Sequence, residues 1–123
     1  MPSADRNASP APRLEPSGPA GGRLEGGRFV VPGLGGRGRS AHHLQVVLAP
    51  SPELRERARA VLRDRRIQTS VHYPPIHLFS RYRGAAERLR VAEEISGRLI
   101  TLPLHPNMSE ADVDVVCAAL ADA

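Results

Sequence analysis

The sequence predicts a small α+β domain, a sheet of about three short strands with helices packed on one face, preceded by a disordered Gly/Pro/Arg-rich tail. Three observations predict it. Apolar residues recur at helical spacing in three segments. Short β-branched runs lie between those segments. Glycine and proline crowd toward one end: the first 40 of the 123 residues hold nine of the 11 glycines and six of the 12 prolines. A stretch so composed buries too little apolar surface to offset the entropy of ordering it. Residues 1–28 are therefore expected to be a disordered tail, and residues 29–123 one domain.

The elements follow in order. "AHHLQVVLAP" (Ala41–Pro50) reads as a short apolar strand closed by a proline. "SPELRERARAVLRDR" then opens a helix, with Ser51 as N-cap, Pro52 at the first helical position and Glu53 in the first turn. Leu54, Ala58, Val61 and Leu62 give it one apolar stripe. "IQTSVHY" (Ile67–Tyr73) alternates and is β-branched, which predicts a second strand. A helix around Glu87–Ser96 is expected to bury Leu89, Ala92 and Ile95, with Gly97 as its terminator. "RLITLPLHP" supplies a third strand, broken at Pro103. In "SEADVDVVCAALADA", Ser109 and Asp112 have capping-box spacing, and Val113, Val116, Cys117 and Leu120 share one face.

Composition excludes several chemistries. All 17 Lys+Arg side chains are arginine. Arginine keeps its proton at working pH and is no amine nucleophile, so Schiff-base chemistry by these side chains is excluded. Cys117 is the single cysteine, which rules out a disulfide framework and a Cys-rich zinc site; at an apolar helical position it reads as a buried small hydrophobe. Residues 1–40 carry six Arg against three acids, and residues 41–123 eleven against ten, so the basic balance belongs mainly to the tail. Nucleic-acid binding by a basic folded face is not indicated, although the tail could contact polyanions. No apolar run has signal-peptide or membrane-spanning length, and a cytoplasmic protein is expected.

Two motifs are set aside. "GLGGRG" (Gly33–Gly38) matches a dinucleotide fingerprint, but a strand pattern follows it where a helix N-terminus is required. The five histidines (His42, His43, His72, His77 and His105) show no i, i+4 pair on a helix and no acid at ligand spacing, so no metal site is assigned.

"TSVHYPPIHLFSRYRG" (Thr69–Gly84) stands out. It holds three of the chain's four aromatics, two of its histidines and a Pro-Pro pair. A packed core would disperse such rings, whereas a loop that presents them to a ligand would gather them. The competing account is a Pro-stiffened loop packed on the sheet.

"HHLQVVL", "IQTSVHYPPIH", "SRYRG" and "AEEISGRLITLPLHPNMSEADVDVVCAAL", in that order and at those separations, resemble the C-terminal part of sugar aminotransferases of the DegT/DnrJ/StrS type. The resemblance runs from about Phe29 to Ala123; one departure is Arg66, where the family prefers glycine before Ile67. It implies the small domain of a fold-type-I, pyridoxal-phosphate-dependent enzyme that moves an amino group from glutamate to a nucleotide-linked keto-sugar. In such enzymes a large domain earlier in the chain supplies the cofactor-binding lysine, the Asp that pairs with the pyridine nitrogen and the phosphate-binding residues. None of these is carried over here, so no catalytic or cofactor-binding residue is assigned and the chain alone is expected to be inactive. Carried over by position, His72, Tyr73 and His77 would shape the sugar-nucleotide site. The implied partners are an aminotransferase large domain, an intact homologue or a second copy of the chain. The alternatives are a non-enzymatic module that pairs with an intact aminotransferase, or a polyanion-binding protein acting through its tail.

Overall fold

A computed structural model describes residues 21–23, 28–32, 41–82 and 89–123. The fold is α+β, built on a four-stranded antiparallel sheet of strands β1 (Gly21–Arg23), β2 (Val30–Pro32), β3 (Gln45–Leu48) and β4 (Leu99–Leu102), ordered β1-β2-β3-β4. Helices α1 (Pro52–Asp64), α2 (Arg90–Arg98) and α3 (Glu110–Ala121) complete it. The tail expected over residues 1–28 falls mostly outside the described residues; within it, Gly21–Arg23 pair with β2. "GLGGRG" also lies outside them, while the segment that follows does form a strand, β3.

The register of β3 on β4 places Val47 opposite Ile100 and Val46 opposite Thr101. Val47 and Ile100 are fully buried among Ala58 and Leu62 of α1 and Val116, Ala119 and Leu120 of α3, which makes one core between sheet and helices. The ladder continues past its last pair through Ala49 N–H to Arg98 O at 2.9 Å. Two guanidinium groups brace the same end: Arg98 Nε donates to Ala49 O at 2.7 Å and Arg55 Nε to Leu99 O at 3.0 Å.

Helix α1 starts as its sequence requires. Ser51 Oγ accepts from Leu54 N–H at 3.2 Å, and Pro52 occupies the first turn. It ends in a Schellman arrangement: Arg66 N–H donates to Arg63 O and Ile67 N–H to Leu62 O, with Arg66 at φ +60°. Helix α3 has the expected capping box of Ser109 and Asp112. Val113 and Cys117, expected on its buried face, are half-buried. Burial pushes the Cys117 thiol up from its ordinary pKa, and the Asp114 carboxylate adds to the shift.

Two expectations are corrected. The strand expected over Ile67–Tyr73 is one bridge, Ser70 with Thr101 at the free edge of β4. Its first amide is committed to the α1 cap, and Pro74 and Pro75 have no N–H with which to extend a ladder. The helix expected to bury Leu89, Ala92 and Ile95 buries none of them. It also runs through Gly97 into β4 rather than stopping there, because the chain enters the sheet at Leu99 directly from the helix.

Candidate functional site

The aromatic segment leaves the sheet edge at Ser70. Ser70 and Thr101 exchange both backbone hydrogen bonds, at 3.1 and 2.8 Å, and His72 N–H donates to Thr101 Oγ1 at 3.2 Å. Thr101 is the buried polar residue whose hydroxyl faces away from the Val47–Ile100 core, and that amide satisfies it. His72 is thereby fixed to the scaffold. Its ring meets the Tyr73 ring edge-to-face, centroids 4.9 Å apart at 89°. Nδ1 of His72 is buried without a hydrogen-bond partner, while Tyr73 is 68% exposed. The pair thus offers one anchored imidazole and one solvent-facing phenol.

Beyond Pro75 the chain makes two single turns of 3-10 helix, Ile76–Leu78 and Ser80–Tyr82. They are closed by Leu78 N–H to Pro75 O, Phe79 N–H to Ile76 O and Tyr82 N–H to Phe79 O. Ile76, Leu78, Phe79 and Tyr82 face solvent. His77 turns the other way, and its Nε2 lies 3.1 Å from Glu93 Oε1 of α2.

The structure therefore brings His72 and Tyr73 into ring contact and gives His77 a carboxylate partner. Glu93 was not visible in the sequence: it lies sixteen residues from His77, a separation that no helix or strand period couples. His42, His43 and His105 are exposed. Among the described residues no three His, Cys, Asp or Glu side chains come together as a metal site, and no helix is long and apolar enough to cross a membrane.

Comparison with known proteins matches residues 26–121 to the model of the DegT/DnrJ/EryC1/StrS aminotransferase family. The chain is similar to a dTDP-4-dehydro-2,3,6-trideoxy-D-glucose 4-aminotransferase of Saccharopolyspora spinosa, 38% identical over 66 residues, which are 54% of this chain and 17% of that protein. It is also similar to a UDP-2-acetamido-2-deoxy-3-oxo-D-glucuronate aminotransferase of Pseudomonas aeruginosa, 31% identical over 54% of this chain and 19% of that protein. Among solved structures it resembles the aminotransferase TlmJ from Streptoalloteichus hindustanus, with a TM-score of 0.69 and 28% identity over 76% of this chain and 25% of that one. The chain spans about a fifth of the length of the curated relatives it matches.

Proposed function

The chain belongs to the DegT/DnrJ/EryC1/StrS aminotransferase family, and from that premise we propose that it is the small domain of a sugar-nucleotide aminotransferase, working only beside a lysine-bearing cofactor domain. The observation that carries the proposal is the loop from His72 to Tyr82: pinned to β4 through Thr101, it turns Tyr73, Ile76, Leu78, Phe79 and Tyr82 outward instead of into the core. Such a loop is built to be covered by something else. We assign His72, Tyr73 and His77 to the wall of the sugar-nucleotide site, with amino transfer from glutamate to a keto-sugar as the reaction and the cytoplasm as its place.

Pyridoxal phosphate is the cofactor of the family, where it supplies the electron sink for amino transfer. The residues of this chain do not fit covalent attachment of it: no lysine stands anywhere in the 123 residues, and an arginine guanidinium does not replace the amine. The reaction therefore needs an amine from another domain. A non-enzymatic module that pairs with an intact aminotransferase would use the same exposed loop and differ only in lacking turnover.

The test has two arms. The full chain, treated with pyridoxal phosphate and borohydride, should show no adduct at an internal side chain and no glutamate-dependent transfer. Mixed with a separately produced lysine-bearing domain of a relative, it should bind that domain and restore transfer to a nucleotide-linked keto-sugar. Binding without transfer favours the pairing module, and absence of binding defeats both readings.

A further inference from the structure

The turn around His77 is inside out. The His77 side chain is 9% exposed, while its neighbours Ile76 and Leu78 are 64% and 51% exposed. A turn oriented by hydrophobic burial would do the reverse, because aliphatic side chains gain from leaving water and an imidazole loses unless it is hydrogen-bonded. What compensates the imidazole is the Glu93 carboxylate, 3.1 Å from Nε2 and itself 22% exposed. A hydrogen bond to an ionised group at such a half-buried site is among the stronger polar contacts available.

The three hydrogen bonds that close the two turns are local and shape them without tying them to the scaffold. The bond from His77 does reach out. Glu93 lies in the first turn of α2, where a carboxylate also suits the helix dipole, and α2 passes into β4 at Leu99 without a loop. The same strand holds the beginning of the segment, through Ser70 and His72 on Thr101. One continuous helix–strand unit thus grips the aromatic loop at two places.

We propose that the His77–Glu93 pair is a latch that orients the loop, with Glu93 a positioning residue that acts through His77 to keep Tyr73, Ile76, Leu78 and Phe79 turned outward. It rests on the proposed function only for what those side chains meet; the latch itself is a property of the chain. In that account His77 shapes the site by holding the loop, and its Nε2 is engaged by Glu93 rather than offered to a ligand.

Amide hydrogen exchange on the full chain tests it. Glu93→Ala and His77→Ala should each raise exchange across residues 76–82 by about tenfold, the size expected for losing one charge-assisted hydrogen bond. The double variant should exchange no faster than either single one, and amides of β3 and β4 should keep their protection. Glu93→Gln, whose amide oxygen still accepts from Nε2–H, should recover most of the protection. Unchanged exchange in the single variants, or additive effects in the double variant, overturns the latch. So does loss of β3 and β4 protection in Glu93→Gln, which would make the pair part of the core. No sugar or second domain enters this measurement, so the latch passes or fails separately from the proposed function.

Discussion

Arg66 carries a backbone conformation suited to another residue. It sits at φ +60°, at the position after the α1 cap where a Schellman turn needs left-handed backbone. The turn is retained because the amides of Arg66 and Ile67 satisfy two helix carbonyls, and because Ile67 packs against the core that buries Leu62. Left-handed backbone costs an L-residue roughly 1–2 kcal/mol, and glycine gives back about 0.4–1 kcal/mol through the freer unfolded chain. Arg66→Gly should therefore stabilise the domain by about 0.5–1 kcal/mol net, seen as a rise in Tm of roughly 3–6 °C for a fold of this size. Arg66→Ala is the control: it removes the same exposed side chain without relieving the backbone, and it should leave Tm nearly unchanged. A gain with alanine equal to that with glycine would place the effect in the side chain. The resemblance already marked this position, as the one where the family prefers glycine before Ile67.

Among the elements, α3 has the best-defined start. Ser109 N–H donates to Asp112 Oδ2 at 2.8 Å, Ser109 Oγ donates to the same oxygen at 2.7 Å, and Asp112 N–H donates to Ser109 Oγ at 3.2 Å. The Ser109 amide, then its hydroxyl, and to a smaller extent His105, hold the Asp112 carboxyl below its usual pKa. The sign follows. A carboxyl with a lowered folded-state pKa contributes stability that is fully present above its unfolded value, near pH ~4, and is lost as pH falls through the folded value. Asp112→Asn should thus be less stable than the wild type at neutral pH, and the gap should close under acid; a gap independent of pH would remove the charge from the account. This cap and that of α1 were legible because capping is written within four consecutive residues. Element boundaries that depend on competition were not: Ile67–Tyr73 has a strand's pattern, but its first amide serves the α1 cap and two prolines cut the ladder short. The apolar face of α2 was legible as a stripe, yet periodicity says which side of a helix is apolar and not whether anything covers it. The position of Glu93 opposite His77 is a tertiary fact, fixed by where α2 enters the sheet.

At the scale of the whole molecule the described residues divide into a thin core and an uncovered side. Leu62, Ile100, Leu120 and Val47 are its largest fully buried side chains, whereas Tyr73, Ile76, Leu78, Phe79 and Tyr82 of the loop, Leu89 at the N-cap of α2, and Val91 and Ile95 within α2 lie in solvent. The His77–Glu93 bond joins the loop to the helix. Exposed apolar surface of this kind favours association with a complementary face, and a central aliphatic or aromatic side chain typically contributes more than the rim around it. Ile76 and Phe79 are the pair to remove, since both project from the turns and neither belongs to the core. Ile76→Ser with Phe79→Ser should change folding stability by less than about 1 kcal/mol, as expected for exposed positions. The same pair should weaken binding to a lysine-bearing aminotransferase domain, or self-association of the chain, by at least about tenfold. Sedimentation and thermal unfolding on the same samples separate the two effects. If the double variant unfolds, the loop is core after all and its outward display is lost as an explanation. If the wild type stays monomeric at high concentration and binds no such domain, the surface has no partner of the proposed kind. Retained folding with lost association would instead tie the gathered aromatics of Thr69–Gly84 to contact beyond the chain.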